Sequence, residues 1–384
     1  MVFTFIFAGL LLQVVTVTSQ NVIVGKLLRF ACSQLVIERT DPLVNPGLSP
    51  SPHTHQIVGG NSFNVTMNPS EMEPSRASTC TTCTYSEDFS NYWTASLYFR
   101  SPENGSFKLV PQRPNFVGMD GVRHPVGGGI TVYYMTSVFG STSGNGKVTA
   151  FPPGFRMLAG SPDITSKDRT FPGICHRCNG NTTGFTPCDS ADSSELPTKV
   201  CPGGIRGSVI FPSCWDGKNL DSPDHSSHVA YSPVGGGKLA GQACPETHPV
   251  RIPQLMYEML WDTSQFNAPA YFDETAKRQP FVYSFGDGIG YGQHGDYIFG
   301  WKGDALQRGM DAVLGDDCVN DRCHALEFQS PAEGVACAKP TQVEGEIVGR
   351  GGECKFMRVM RILQVVLIPP GLQTLPGNPH LRQA

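Results

Sequence analysis

The chain has 384 residues, 39% of them apolar and 16% charged, with a formal net charge of −4. That length buries a core as one large domain or two ordinary ones, and the near-neutral, unpatterned charge excludes a basic nucleic-acid footprint and an acidic solvating tail. No repeat of about 20 to 50 residues is visible, which excludes solenoids and propellers.

The first twenty residues, MVFTFIFAGLLLQVVTVTSQ, are an apolar run of signal-peptide length ending in small residues. They read as a signal peptide over 1–19, cleaved after Ser19. The run from Ile362 to Pro369 is too short to cross a bilayer, so no stable membrane insertion is expected after cleavage. Thirteen cysteines, with acceptor sequons at Asn64, Asn104 and Asn181, read as a secreted, glycosylated disulfide protein. The C-x-x-C pairs Cys80/Cys83 and Cys175/Cys178 are expected to serve structural disulfides rather than zinc or redox chemistry, and the odd count leaves one thiol, placed in the tail.

With 43 Gly and 31 Pro, the chain reads as short strands punctuated by tight turns. Strand-like runs fall at 129–134, 207–211, 250–261, 280–285 and 297–301, and alternation sets Leu255, Tyr257, Met259 and Trp261 on one face, with Gln254, Met256, Glu258 and Leu260 on the other. These predict a mainly β fold, a β-sandwich or jelly roll, forming one main domain over 20–315. A short helix is predicted at Asp304–Leu314, with Asp304 as its cap. Residues 316–384 read as a cysteine-bearing, partly disordered extension.

Three segments bring imidazole and carboxylate together: Pro52-His53-Thr54-His55, Asp221-Ser-Pro-Asp224-His225-Ser-Ser-His228 and Gln293-His294-Gly-Asp296. In extended chain, His53 with His55 and His294 with Asp296 point to one side, and a helical turn from Ser222-Pro223 would align His225 with His228. Glycines 59, 60, 292 and 295 would allow close approach of a ligand. Two chemistries suit such a convergence. One is acid–base hydrolysis of a glycan by the pair Asp224 and Asp296, oriented by His225, His228 and His294, with His53, His55, Asp221, Glu258, Trp215 and Tyr291 contacting substrate on a face lined with Tyr and Trp. The other is a divalent metal held by ligands drawn from His53, His55, His225, His228, His294 and Asp296. Against both stands a plain alternative: Asp in NLDSPD makes Asx turns, loop imidazoles satisfy carbonyls, and the tryptophans fill the core. His124, His176 and His248 read as structural, and His324 and His380 have no evident partner. The VGGG stretches at 126–129 and 234–237 lack the Gly-Lys-Ser/Thr ending of a phosphate loop, and no G-x-S-x-G elbow occurs.

The segments RFACSQLVIERTDPLVNPG, SPHTHQIVGGNSFN, STCTTC, YWTASLYFR, FPPGFRMLAG, FPSCWDGKNLDSPDHSSHVAY, CPETHPVRIPQLMYEMLWDT and FGDGIGYGQHGDYIFGW closely resemble the fungal secreted family DUF1996, from about Leu28 to Asp311. The resemblance implies a secreted protein acting at cell walls or on extracellular polysaccharide; it assigns no catalytic residue. After Asp311 the chain departs from that pattern, and no wall-binding module is expected. The sequence thus predicts a monomeric extracellular protein that hydrolyses a cell-wall glycan, with non-catalytic glycan binding or metal-dependent chemistry as alternatives.

Overall fold

The computed structural model describes residues 27–113, 128–136, 147–169, 171, 173–179, 187–233, 243–313, 318 and 323–343. The signal-peptide segment, Asn181, His124, His380, Cys354 and the 362–369 run lie outside them.

The fold is mainly β. Nine strands form one antiparallel sheet: β1 (Leu27–Glu38), β2 (His55–Gly59), β3 (Asn91–Ala95), β6 (Gly129–Met135), β7 (Arg156–Gly160), β8 (Ile174–Cys178), β9 (Ile205–Ile210), β13 (Gln254–Trp261) and β15 (His294–Ile298). Their order is β7-β15-β3-β2-β1-β6-β13-β9-β8. Two three-stranded sheets flank them: β4 (Leu97–Arg100), β5 (Phe107–Leu109) and β14 (Phe281–Tyr283), and β10 (Cys214–Trp215), β11 (Val229–Ala230) and β12 (Val250–Arg251). The predicted 250–261 strand divides because Pro253 has no amide to give a ladder: β12 pairs with β10, and β13 joins the main sheet. The strand predicted at 297–301 starts earlier, at His294.

The main sheet curls almost into a barrel. β13 and β15 lie five steps apart along it, roughly 24 Å if the sheet were flat. Yet the Tyr257 hydroxyl donates to the Asp296 carbonyl at 2.6 Å. Gly295 permits this closure, since a Cβ there would meet the rings of Phe211 and Tyr257 at 3.0 Å. The inside holds Leu255, Tyr257, Met259 and Trp261, the face that alternation selects, together with a chain of hydroxyls. Tyr92 donates to the Asp88 carboxylate at 2.7 Å. Its oxygen therefore accepts from Tyr134 at 2.8 Å, and the Tyr134 oxygen accepts from Tyr297 at 3.0 Å and from the Trp301 indole at 3.1 Å. Burial pushes the Asp88 carboxyl up to about 7 against those hydrogen bonds.

Both sheet edges are covered by cystine-anchored loops. On β7, the amides of Arg156 and Leu158 donate to the carbonyls of Leu220 and His225, and the Arg156 carbonyl accepts from His228 Nε2 at 2.8 Å. On β8, His176 exchanges backbone hydrogen bonds with Ser193. Covering an edge removes a template for pairing with other chains. Six disulfides join Cys32–Cys83, Cys80–Cys337, Cys175–Cys188, Cys178–Cys201, Cys214–Cys244 and Cys318–Cys323. Neither C-x-x-C pair closes on itself, and Cys354 is the cysteine left over.

Three short α-helices lie among the described residues: α1 (Pro74–Ala77), α2 (Ala305–Ala312) and α3 (Pro331–Ala336). Asp304 precedes α2 but does not cap it through its side chain; with ψ of 9° it is not extended as a cap must be, and its carboxylate accepts from Arg308 instead. Residues 323–343 pack against the body rather than hanging from it. Cys337 is tied to Cys80, and the buried Glu38 carboxylate accepts from the Thr341 hydroxyl and the Gln342 amide.

Candidate functional site

On the outer face of β2, β3 and β15 three imidazoles converge. His55 opens β2 and is the register partner of Ala95 on β3; His294 opens β15; His53 comes from the preceding loop, whose Ser51 hydroxyl donates to the His53 carbonyl. Facing ligand nitrogens of the three lie within 4.8 Å of one another, and His53 Nε2 is 3.1 Å from His294 Nε2. The rings of His53 and His55 are 4.2 Å apart.

The proton positions follow from the partners. A carbonyl can only accept, so His55 Nδ1 donates to Thr40 O at 3.2 Å and His294 Nδ1 donates to Gly292 O at 2.9 Å. Both rings therefore present a bare Nε2 lone pair inward. His294 Nε2 accepts from His53, whereas His55 Nε2 is buried with no hydrogen-bond partner. Burial keeps all three neutral: His55 is lowered to about 3 and His294 to about 4, and His53 falls well below its ordinary value by burial and then by the neighbouring imidazoles. Neutral imidazoles oriented by backbone carbonyls are what a first-row divalent ion binds. One ion about 2 Å from two nitrogens in tetrahedral geometry sets them roughly 3.3 Å apart, close to the His53–His294 spacing.

Two carboxyls adjoin this group. Asp296 follows His294 on the same face of β15, opposite Trp93 in register, and both of its oxygens are buried without a partner. Burial, and then the charge of Asp41, push its pKa well above the ordinary carboxyl value. Asp41 is itself buried; its Oδ1 accepts the Leu43 and Val44 amides, and its charge reaches His294 and His225. Phe285 forms the wall, with its ring centroid 5.3 Å from that of His53 and 5.4 Å from that of His294.

The 221–228 segment supplies none of these ligands. No helical turn forms there: His225 has φ of 53° and donates Nδ1 to Asp221 at 2.7 Å, while His228 bonds the β7 edge. Asp224 accepts from the amides of Ser226 and Ser227, and the Ser222 hydroxyl lies 2.8 Å from it. Against the desolvation of partial burial, these bonds hold its carboxyl far below the usual range. To serve as proton donor Asp224 would have to surrender them, and the carboxylate whose charge Asp296 feels is Asp41. This stretch is the cover of the β7 edge, with Asp221 also 4.0 Å from Arg156.

The remaining expected residues stand apart. Glu258, on β13, faces Arg206 at 4.0 Å and accepts from Tyr133. The Trp215 indole donates to Asn219 O within its own loop, and the Tyr291 hydroxyl donates to Glu195. His176 lies inside against Tyr283, and His248 bonds Ser227 O. A Tyr- and Trp-lined sugar platform is not found: the exposed large apolar side chains among the described residues are Val44, Leu48, Leu220 and Ile289, while Trp93, Trp261 and Trp301 are fully buried. Tyr92, Tyr134, Tyr257, Tyr297, Trp261 and Trp301 fill the barrel interior, whereas Trp93 packs with Phe63 in a separate buried cluster.

The sequence matches the model of the family described as Domain of unknown function (DUF1996) over residues 41–301. The chain belongs to this family. No curated protein and no solved structure matches it. The matched span includes Asp41, all three histidines, Phe285 and Asp296, so the site is built from the family's own domain. Asp41 and Phe285 escape reading from sequence: the first resembles an ordinary turn residue in TDPLV, the second a filler in YSFGDG. The second cluster of metal-binding residue types, Cys32, Cys83 and Asp88, has both sulfurs committed to a disulfide.

Proposed function

We propose that this protein is a secreted metalloenzyme whose centre is the divalent ion held by His53, His55 and His294. The observation that carries this reading is the bare, buried and unpartnered Nε2 of His55, pointed at two further neutral imidazoles. Leaving such an acceptor unsatisfied costs about 1–3 kcal/mol, a penalty that a metal ion would remove. Three imidazoles without thiolate suit zinc or copper, and a three-histidine centre leaves a position for water, which the ion would make nucleophilic at neutral pH.

Asp296 and Asp41 would orient that water, giving metal-assisted hydrolysis of an extracellular polymer. Six disulfides support an oxidising compartment, and the family resemblance supports a fungal cell-wall polysaccharide as the polymer. Non-catalytic glycan retention has no exposed aromatic platform among the described residues to draw on. The test is product analysis on a panel of wall polysaccharides, with and without chelator. Chelator-sensitive release of oligosaccharides is expected; retention on the polysaccharide without product, unchanged by chelator, would replace this reading with the binding one.

A further inference from the structure

The histidine centre is almost sealed. His53 is 7% exposed, His55 1%, His294 3% and Asp296 1%, so no polymer segment can lie against the nitrogens as they stand. One half-buried side chain walls the space. Phe285 sits against both His53 and His294, and it is fixed from behind: its ring stacks on Tyr283 at an interplanar angle of 2°, with centroids 5.7 Å apart. Tyr283 in turn is anchored by its hydrogen bond with His176 Nε2. The neighbouring position is Gly292, where a Cβ would stand 2.7 Å from the Phe285 ring, so any side chain there would push the ring out of its seat. The same Gly292 supplies the carbonyl that fixes the His294 tautomer. One residue thus serves both the metal-facing orientation of His294 and the seating of Phe285.

We infer that Phe285 is a size gate, and that the open coordination position of the centre takes ligands of only two or three heavy atoms or fewer: water or hydroxide, a peroxide, or a short linear anion. This deepens the metal reading and rests on it. The polymer would then meet an activated small molecule at the rim, never the ion itself. The seating of Phe285 by stacking and by a glycine makes the gate a matter of packing, independent of pH.

The test uses the full mature chain loaded with Cu(II), titrated separately with azide and with imidazole and followed by ligand-field absorption and electron paramagnetic resonance. At an open copper site imidazole, the better donor, binds more tightly than azide. Here the order is expected to reverse, with azide at least tenfold tighter. Phe285→Ala is expected to strengthen imidazole binding tenfold or more while leaving azide affinity within twofold, and Phe285→Leu serves if the alanine variant does not fold. A wild-type protein that takes up copper and binds imidazole as tightly as azide overturns the gate alone. Failure of the wild type to take up either copper or zinc in stoichiometric amount overturns the metal reading and the gate together.

Discussion

Replacing His55 with glutamine should change the acid stability of the metal-free protein by an amount the structure sets. In the fold, burial lowers the His55 pKa to about 3, against about 6.5 in the unfolded chain. Below pH 6.5 the unfolded state therefore binds a proton that the folded state refuses. The stability is complete above the unfolded value and is lost as pH falls from about 6.5 toward about 3. Each pH unit in that window costs about 1.4 kcal/mol, so the two units down to pH 4.5 cost about 3 kcal/mol from His55 alone. His294 and His53 act in the same direction, whereas Asp88, with its pKa raised to about 7, gains stability over the same fall. Subtracting the profile of the non-titrating His55→Gln variant isolates the one ring. Urea unfolding of both chelated proteins at pH 7.0 and 4.5 should show the wild type losing about 3 kcal/mol more than the variant. Parallel losses would refute the claim that His55 is held neutral in a dry, metal-ready pocket.

Other consequences are equally specific. Tyr134→Phe removes the hub of the interior hydroxyl chain and orphans two buried donors, the Tyr297 hydroxyl and the Trp301 indole, so it should cost about 2–5 kcal/mol in denaturant unfolding; less than 1 kcal/mol would mean the network is dispensable. Asp88→Asn should flatten the stability profile between about pH 4 and 7: a carboxyl raised to about 7 loses stability as pH rises through that range, and the variant's stability relative to wild type should grow by about 4 kcal/mol across it, as read from thermal and urea unfolding. Asp224→Asn should leave metal content unchanged and cost about 1 kcal/mol, since it weakens only a turn; loss of metal would reinstate the 221–228 segment in the site. The double variant Cys214→Ser, Cys244→Ser releases the loop that covers β7 and should lower stability by about 2–4 kcal/mol while raising the tendency to self-associate, measurable by light scattering.

Much of the sheet is legible in the chain because alternation reports which side of a strand is wet. Residues 254–261 show it cleanly, and Pro253 marks where that strand must stop. The central strand β1 is less visible: LLRFACSQLVIE is buried on both faces along most of its length and so lacks a clean period of two. The site was legible in its ligand types, since His53, His55, His294 and Asp296 stand out as paired ionisable groups in extended chain. What sequence could not supply was selection among three such clusters. The three converging imidazoles come from two of them, because β15 and β2 are separated in the sheet only by β3, while the third is drawn to the sheet edge by backbone amides whose need for partners no local pattern reveals. Phe285 and Asp41 acquire their roles only through the closure of the sheet and the loop above it.

The central question is whether the three imidazoles hold an ion. Elemental analysis of the purified, tag-free protein, compared with the double variants His53→Ala, His294→Ala and His225→Ala, His228→Ala, puts that to the test. About one zinc or copper per chain in the wild type and in the 225/228 variant, and none in the 53/294 variant, is the predicted result. No metal in any of the three, after reconstitution with either ion, would contradict it.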